Sequence, residues 1–486
     1  MPGIEFDNTY ARLPDGFFAR VSPASVPSPS LIKVNGPLAT ELGLDEAWLK
    51  TPAGLAMLSG NAVPTGAEPI AMAYAGHQFG GFSPQLGDGR AILLGELVGA
   101  DGVRRDVQLK GAGQTPFSRN GDGKSPLGPV IREYLVSEAM AALGIPTTRA
   151  LAAVATGEWV QREESQPGGV FTRVAQSHIR VGTFQFFAAR GETESLRELA
   201  DYVIARHYPD ARQSENPARA LLDGIIDRQA CLIAKWMQVG FVHGVMNTDN
   251  TQIVGETIDF GPCAFMELFD ARTVFSSIDH RGRYAWGKQP SIAHWNLARL
   301  AEALLPLLAD DEDSALKQAE AALEGFSGAF NAQFVDGFRR KFGLAPSFAT
   351  DPKGAESFVN LCFDVMAQQK VDFTLFFRHL TRVAGGASPE QLLALFDDPS
   401  AGQQWLEGWH AAGPKNVEAM RTVNPIFIPR NHRVEEAIQG ALRGDYAPFE
   451  RLDAVLARPF EEQPEHAEFE NPAKAGEIVS HTFCGT

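Results

Sequence analysis

Up to about residue 180 the apolar positions of this chain fall into short runs and alternations, and beyond it they recur every three or four residues. The first pattern is that of strands and the second that of amphipathic helices. Strands are expected at 17–21, 31–34, 91–98, 106–110, 150–155 and 169–174. Two helices interrupt them, one at 47–58 and one at 130–143. In the latter, Ile131, Leu135, Met140 and Leu143 repeat at roughly helical spacing before Gly144 and Pro146 end it. Helices follow at 194–206, 217–239, 292–305, 313–338 and 355–365, the fourth expected to break near Gly325 and Gly328. A sheet-rich block followed by a helix-rich one is an α+β arrangement, with the hinge expected between Arg173 and Phe187. The chain then divides into 1–90, rich in Pro and Gly, 91–180, 181–459, and a polar tail at 460–486 expected to be loosely held. The run Arg339-Arg340-Lys341 is expected to face solvent.

Composition narrows the partners more than the fold. With 486 residues, 44% hydrophobic and 21% charged, the chain has ample material for buried cores. A net charge of -16 argues against a nucleic acid backbone or an anionic membrane as principal partner, and leaves room for local basic pockets. The first residues, Met1-Pro-Gly-Ile-Glu-Phe-Asp7, have neither the basic start and apolar run of a secretory signal nor the Arg-rich character of a transit peptide. No stretch approaches the ~20 apolar residues that span a bilayer. The four cysteines, Cys231, Cys263, Cys362 and Cys484, are too scattered for a disulfide framework or a zinc site, so a cytoplasmic location is expected.

The densest chemistry lies at His243-Gly-Val-Met-Asn-Thr-Asp249-Asn250 and Asp259-Phe260-Gly261. A protein kinase has a His followed seven residues later by a metal-binding Asn, and a later Asp-Phe-Gly whose Asp also grips metal. His243, Asn250 and Asp259 match that spacing, with His243 read as a packed residue supporting the turn. The kinase base position is filled by Val245, which cannot accept a proton, and an acid reappears at Asp249. Upstream, Gly87-Asp88-Gly89-Arg90 and Gly121-Asp122-Gly123 would let backbone amides approach phosphates, although plain turns use the same residues. Lys110 ends an alternating strand, from which an ammonium can reach a cleft, and either Glu133 or Glu138 on the next helix could orient it. Arg173 and Arg180 flank the hinge, where cationic forks suit phosphate oxygens. Trp236, Trp295, Trp405 and Trp409 sit in helical patterns and read as core.

An ordered set of motifs then resembles the selenoprotein O family of protein adenylyltransferases. It comprises Phe6-Asp-Asn-Thr-Tyr10, Leu31-Ile-Lys-Val-Asn35, Tyr74-Ala-Gly-His-Gln-Phe-Gly80, Gln85-Leu-Gly-Asp-Gly-Arg90, Leu109-Lys-Gly-Ala-Gly113, Ile131-Arg-Glu-Tyr134, Asn247-Thr-Asp-Asn250 and Ile258-Asp-Phe-Gly-Pro262. The resemblance implies a protein kinase-like bilobal fold, with 91–180 as N-lobe, its start within 1–90, and 181–459 as helical C-lobe. It implies that ATP lies inverted relative to kinases, so that AMP passes to a Ser, Thr or Tyr hydroxyl of a protein and pyrophosphate leaves. By the same resemblance Asp249 is the general base, and Asn250 and Asp259 hold Mg2+, with Mn2+ as an alternative. Gly87, Gly89, Arg90, Lys110, Asp122, Gly123, Arg173, Arg180 and Asp259 contact ATP, and Glu133 pairs with Lys110.

Two places depart from the family pattern. Cys484, third from the C-terminus, matches a position where members often carry Cys or selenocysteine, but the ending is not Ser-rich and 267–283 holds no partner Cys, leaving Cys263 nearest. Lys124-Ser-Pro-Leu-Gly-Pro129 is stiffer and less basic than the usual stretch, so a different flap over the phosphates is expected. The residues alone leave open an ordinary phosphotransferase and a non-catalytic nucleotide-binding scaffold.

Overall fold

In this computed structural model the described residues are 4–413, 415–479 and 481–482, so Cys484 lies outside them. Alternating apolar and polar positions build an antiparallel sheet. Its strands are β1 (Phe18–Arg20), β2 (Ser30–Val34), β3 (Ile70–Met72), β6 (Ala91–Val98), β7 (Arg104–Lys110), β9 (Arg149–Gln161) and β10 (Ser165–Ala175), with β8 (Ser125–Pro126) paired to β10. A separate hairpin, β4 (Gly76–Gln78) and β5 (Gly81–Ser83), falls between β3 and β6. The order β1-β3-β6-β7-β10-β9-β2 puts the strand carrying Lys110 in the interior of the sheet. Interior strands with two distinct faces hold their register firmly, because a one-residue slip would exchange the faces.

Those faces differ in kind. Ile92, Leu94, Val107, Leu109, Val170 and Val174 point to one side, where they form a core with Leu38, Leu49 and Leu58. On the other side β7 presents Asp106, Gln108 and Lys110, all buried, and Arg173 of β10 lies opposite Gln108. An irregularity between Leu93 and Gly95 shifts β6 so that Glu96 pairs with Asp106 on this same polar side. A row of buried polar groups on a central sheet is tolerated only if each finds a partner, and it faces the loops of the helix-rich half.

The helix Leu127–Ala142 crosses the sheet, and Val181–Ala188, Thr193–His207, Pro217–Gln238, Gln289–Leu308 and Glu312–Lys341 build the helical part. The break expected near Gly325 and Gly328 does not occur. Both glycines face open space, while Phe326, Phe330, Phe334 and Phe338 form a buried stripe at four-residue spacing. Each glycine costs about 1 kcal/mol against alanine, and each buried aromatic contributes roughly 1.5–3 kcal/mol, so the stripe wins. Lys341, expected on the surface, is buried as well, and its Nζ sits 4.2 Å from the Phe377 ring centroid. The expected helix at 47–58 is two, Glu46–Leu49 and Pro52–Leu58, because Pro52 starts a new helix that Thr51 caps by accepting from the Gly54 amide.

The tail is anchored where looseness was expected. Arg378 pairs with Glu462 and Glu470, Arg430 donates to the Glu470 carbonyl, and the Ala473 amide donates to Glu267. The Thr482 amide donates to the Phe275 carbonyl, so the far end of the chain lies against the segment after Asp259-Phe260-Gly261. Among the described residues no helix is long and apolar enough to cross a membrane.

Candidate functional site

A cavity of about 570 Å³ lies between the polar face of the sheet and the loop 243–261, and all eleven residues singled out above line it. Seven cationic side chains and four carboxylates face it, an excess of positive charge on a chain whose net charge is -16. Such a pocket selects an anion.

The cations are fixed by the sheet. Lys110 Nζ donates to Glu133 Oε2 at 2.5 Å and lies 3.3 Å from Asp259 Oδ1, both groups reaching it from other elements. Arg173 donates to Glu133 Oε1 at 3.1 Å and to Gln108 Oε1 at 2.6 Å, so one carboxylate orients two cations. Glu138, the rival for Lys110, is taken by Arg149 at 2.8 Å and by Asn35 at 2.7 Å. Arg180 lies over the Tyr74 ring at 4.2 Å and donates to Asp88 Oδ1 at 3.4 Å, and its Nε has no partner among the described residues. Asp88 in turn accepts from Gln108 and from the Met72 amide, each at 3.1 Å. Orienting charges before the ligand arrives spares the cost of reorganising them when it binds.

The loop supplies the acids. His243 donates from Nε2 to the Ile258 carbonyl at 2.8 Å and its Nδ1 accepts from the Val245 amide, while its ring stacks on Trp236, so it holds the loop together. Val245 is 9% exposed and apolar. Asp249 is buried, accepts from Gln78 Nε2 at 2.9 Å through Oδ2, and has no partner for Oδ1 among the described residues. Burial pushes its carboxyl up to about 6, against the lowering pull of Gln78 and Arg180. Asp259, at φ 68°, is the opposite case. Burial works to raise it, but Lys110, Arg90 and Arg173 outweigh that and hold it well below the usual carboxylate range. Two acids on one loop are thus held in opposite electrostatic settings, one pushed towards the protonated form and one kept charged. Asn250 donates from Nδ2 to the Val245 carbonyl at 3.0 Å, which fixes its flip and leaves Oδ1 as an acceptor.

The glycine segments form the rim. Gly87 has φ 78°, and a Cβ there would meet the Phe117 ring at 2.3 Å, so this turn admits only glycine. Ser118 donates to the Gly89 carbonyl and Thr115 to the Asp88 carbonyl, tying the 115–124 segment to 87–90. Asp122 pairs with Arg162 at 2.9 Å and Lys124 with Glu158 at 2.5 Å. Gly123 lies between them, so the segment expected to differ as a flap is clasped to the tip of the β9–β10 hairpin. Arg90 lines the cavity and acts on Asp259.

Several participants escaped sequence reading. Asp88, Gln108 and Gln78 each act through a partner 20 or more residues away, and only pairing across the sheet brings them in. The hairpin β4–β5 closes on the acid loop. The His77 amide donates to Thr248 Oγ1 at 2.7 Å, and the Phe79 amide to Asn247 Oδ1 at 3.1 Å. The quoted motif Tyr74 to Gly80 was the available signal for it. Trp236, Trp405 and Trp409 are buried as expected, whereas Trp295 is partly exposed beside His77. Cys263 is buried and its thiol is pushed up to about 12 by desolvation.

A family model described as protein adenylyltransferase SelO matches residues 2–457. The chain belongs to this family. It is 59% identical over 489 residues to the protein nucleotidyltransferase YdiU of Bradyrhizobium sp. strain BTAi1, covering 99% of both chains. It is likewise 59% identical to proteins of that name from Rhodopseudomonas palustris strain BisB5 and Methylorubrum extorquens strain PA1, again over 99% of each. A nucleotidyltransferase needs a nucleotide and an acceptor, and the cation-lined cavity has the charge for the first.

Proposed function

We propose that the chain transfers AMP from ATP to a Ser, Thr or Tyr hydroxyl of a protein, on a kinase-like bilobal body in which ATP lies inverted relative to kinases. The acceptor oxygen bonds to the α-phosphorus, the bond from that phosphorus to the leaving oxygen breaks, and pyrophosphate departs. Asp249 takes the hydroxyl proton through Oδ1. The observation that carries this reading is the exchange of roles in one loop: apolar Val245 occupies the kinase base position, and Asp249 holds an unpartnered oxygen in the cleft. Lys110, Arg90, Arg173 and Arg180 bind and orient phosphate oxygens, and charge-assisted contacts of this kind strengthen as charge moves to the leaving group. Asp122 and Gly123, with Gly87 and Gly89, close the rim over the nucleotide.

Asn250 and Asp259 are the residues that would hold Mg2+ or Mn2+. A carboxylate kept ionised beside a carboxamide oxygen is a hard oxygen set that fits either ion. When bound, the metal neutralises phosphate charge. Cys231, Cys263 and Cys362 are free thiols, which supports a cytoplasmic setting. ATP labelled at the α- or at the γ-phosphate tests the reading: protein should retain the α-label, and retention of the γ-label would make the chain a phosphotransferase instead.

A further inference from the structure

The β4–β5 turn holds a bulky residue in an uncommon conformation. Phe79 has φ 52° and Gly80 φ 88°, a pair of left-handed residues at the tip of a two-residue hairpin loop. Glycine or asparagine is ordinary there, and a phenylalanine is an outlier that persists only if its surroundings impose it. The surroundings are the acid loop: the Phe79 amide is shared by Asn247 Oδ1 at 3.1 Å and Tyr284 Oη at 3.2 Å, and Tyr284 donates to the same Asn247 oxygen at 2.6 Å. In return Phe79 is left 37% exposed, with Phe82 of β5 at 42%. A strained backbone that spends its contacts on displaying an aromatic ring, one residue from Gln78 and hence from Asp249, points to a surface that something covers.

The neighbouring charge says what. Arg283 lies over Trp295 at 4.8 Å and over Tyr284 at 5.7 Å, beside Gly80. Among the described residues no carboxylate is in ion-pair contact with it, and its Nε has no hydrogen-bond partner. The acid of its own turn, Asp279, is occupied by the Arg283 and Tyr284 amides at 2.9 and 2.8 Å. Arg283 does not line the nucleotide cavity, so ATP does not claim it. Arg299 shares the Trp295 ring at 5.1 Å but is paired with Glu302, so among the described residues Arg283 is the ledge cation without an ion-pair partner; on a chain with net charge -16 that repels acidic proteins at long range, it is complementary to a carboxylate brought there by specific docking.

We propose that the ledge of Phe79, Phe82, Arg283 and Trp295 is the dock for the protein acceptor, and that it selects a hydroxyl flanked by an acidic side chain, with an apolar side chain of the same segment against the two phenylalanines. The inference rests on the AMP-transfer reading above and adds the class of acceptor. Hydrogen bonds to charged partners of this kind are worth about tenfold or more in affinity.

The test is AMP incorporation from α-labelled ATP into Ser, Thr and Tyr peptides that carry Glu, Gln or Lys near the hydroxyl, with the full chain, together with ATP affinity by calorimetry. Parent enzyme should favour Glu peptides. Arg283→Glu should raise the KM for Glu peptides by about tenfold or more, transfer the preference to Lys peptides, and leave ATP affinity and kcat near parental. Phe79→Gly, which keeps the turn while removing the ring, should raise the KM for every peptide. Incorporation by the parent without regard to flanking charge, or a preference unmoved in Arg283→Glu, overturns the dock alone. No α-label in any peptide or protein overturns the AMP-transfer reading and the dock with it.

Discussion

Gly76 offers the sharpest steric test of how Asp249, the proposed base, is placed. A Cβ on Gly76 would sit 2.6 Å from Asp249 Oδ1 and 2.9 Å from its Cβ and Cγ. Ordinary contacts between such atoms are about 3.5–4.0 Å, so Gly76→Ala requires the hairpin and Asp249 to part by roughly 1 Å. The hairpin cannot swing away freely, because the Ala75 amide donates to the Gly182 carbonyl at 2.9 Å and the His77 amide to Thr248 at 2.7 Å. Part of the displacement therefore falls on Asp249 and on its contact with Gln78. Gly76 is not among the positive-φ glycines, so alanine suits the backbone and the effect is purely steric. A 1 Å misplacement of a reacting group costs on the order of 100-fold in kcat, and forced overpacking about 1–3 kcal/mol of stability. The matched control is Gly81→Ala on the other strand of the hairpin, where the new Cβ would meet only the Gln78 carbonyl at an ordinary 3.5 Å. AMP transfer from α-labelled ATP, ATP affinity by calorimetry and thermal melts should show lost kcat with retained nucleotide binding for Gly76→Ala and near-parental behaviour for Gly81→Ala. Parental kcat in Gly76→Ala, or equal losses in both, would refute the claim that close packing by the hairpin sets the position of Asp249 as the proposed base.

Asp259→Ala should abolish metal-dependent ATP binding and transfer together, with Asn250→Ala milder because a carboxamide is a neutral ligand; calorimetry showing parental Mg-ATP affinity in Asp259→Ala would contradict the assignment. Alanine at Lys110, Arg173 or Arg180 should each cost roughly 1.5–3 kcal/mol in ATP affinity or transition-state stabilisation, while Arg339→Ala, outside the cavity and paired with surface Asp336 and the Leu344 carbonyl, should cost little; equal small effects at all four would reduce the pocket to a diffuse charge effect. Lys341 is buried and pairs with no carboxylate among the described residues, and desolvation lowers it from its ordinary 10.5 to about 7. The folded state thus binds this proton more weakly than the unfolded chain, so stability is lost as pH falls from above 10 toward 7. Lys341→Met should stabilise by up to a few kcal/mol at pH 7 and by less at pH 10 in denaturant melts, and a gain independent of pH would contradict this.

The parts of the molecule written in local pattern were legible, and those that depend on distant pairing were not. Residues 91–98 and 106–110 read as strands because their apolar positions alternate, and that alternation alone separates Val107 and Leu109 from Gln108 and Lys110. Residues 70–72, only three long, carry no period to detect, yet they form the strand that joins β1 to the sheet. Glycine in 313–338 misled because its helix cost is local while the compensating aromatic stripe is tertiary. The acid loop was readable from residue type and spacing. The groups that aim it were not: Gln78 meets Asp249 across 171 residues, and Gln108 meets Arg173 across 65.

Asp249 is proposed to serve AMP transfer in a cleft whose proposed metal and phosphate ligands resemble those of a kinase. Mass spectrometry of an acceptor protein after incubation with ATP and Mg2+, with parent enzyme and with Asp249→Asn side by side, tests it most directly. The account predicts the mass of AMP on a Ser, Thr or Tyr side chain with the parent, and about 10²- to 10⁴-fold slower modification with Asp249→Asn at unchanged ATP affinity. The mass of phosphate in place of AMP, or near-parental AMP transfer by Asp249→Asn, would contradict it.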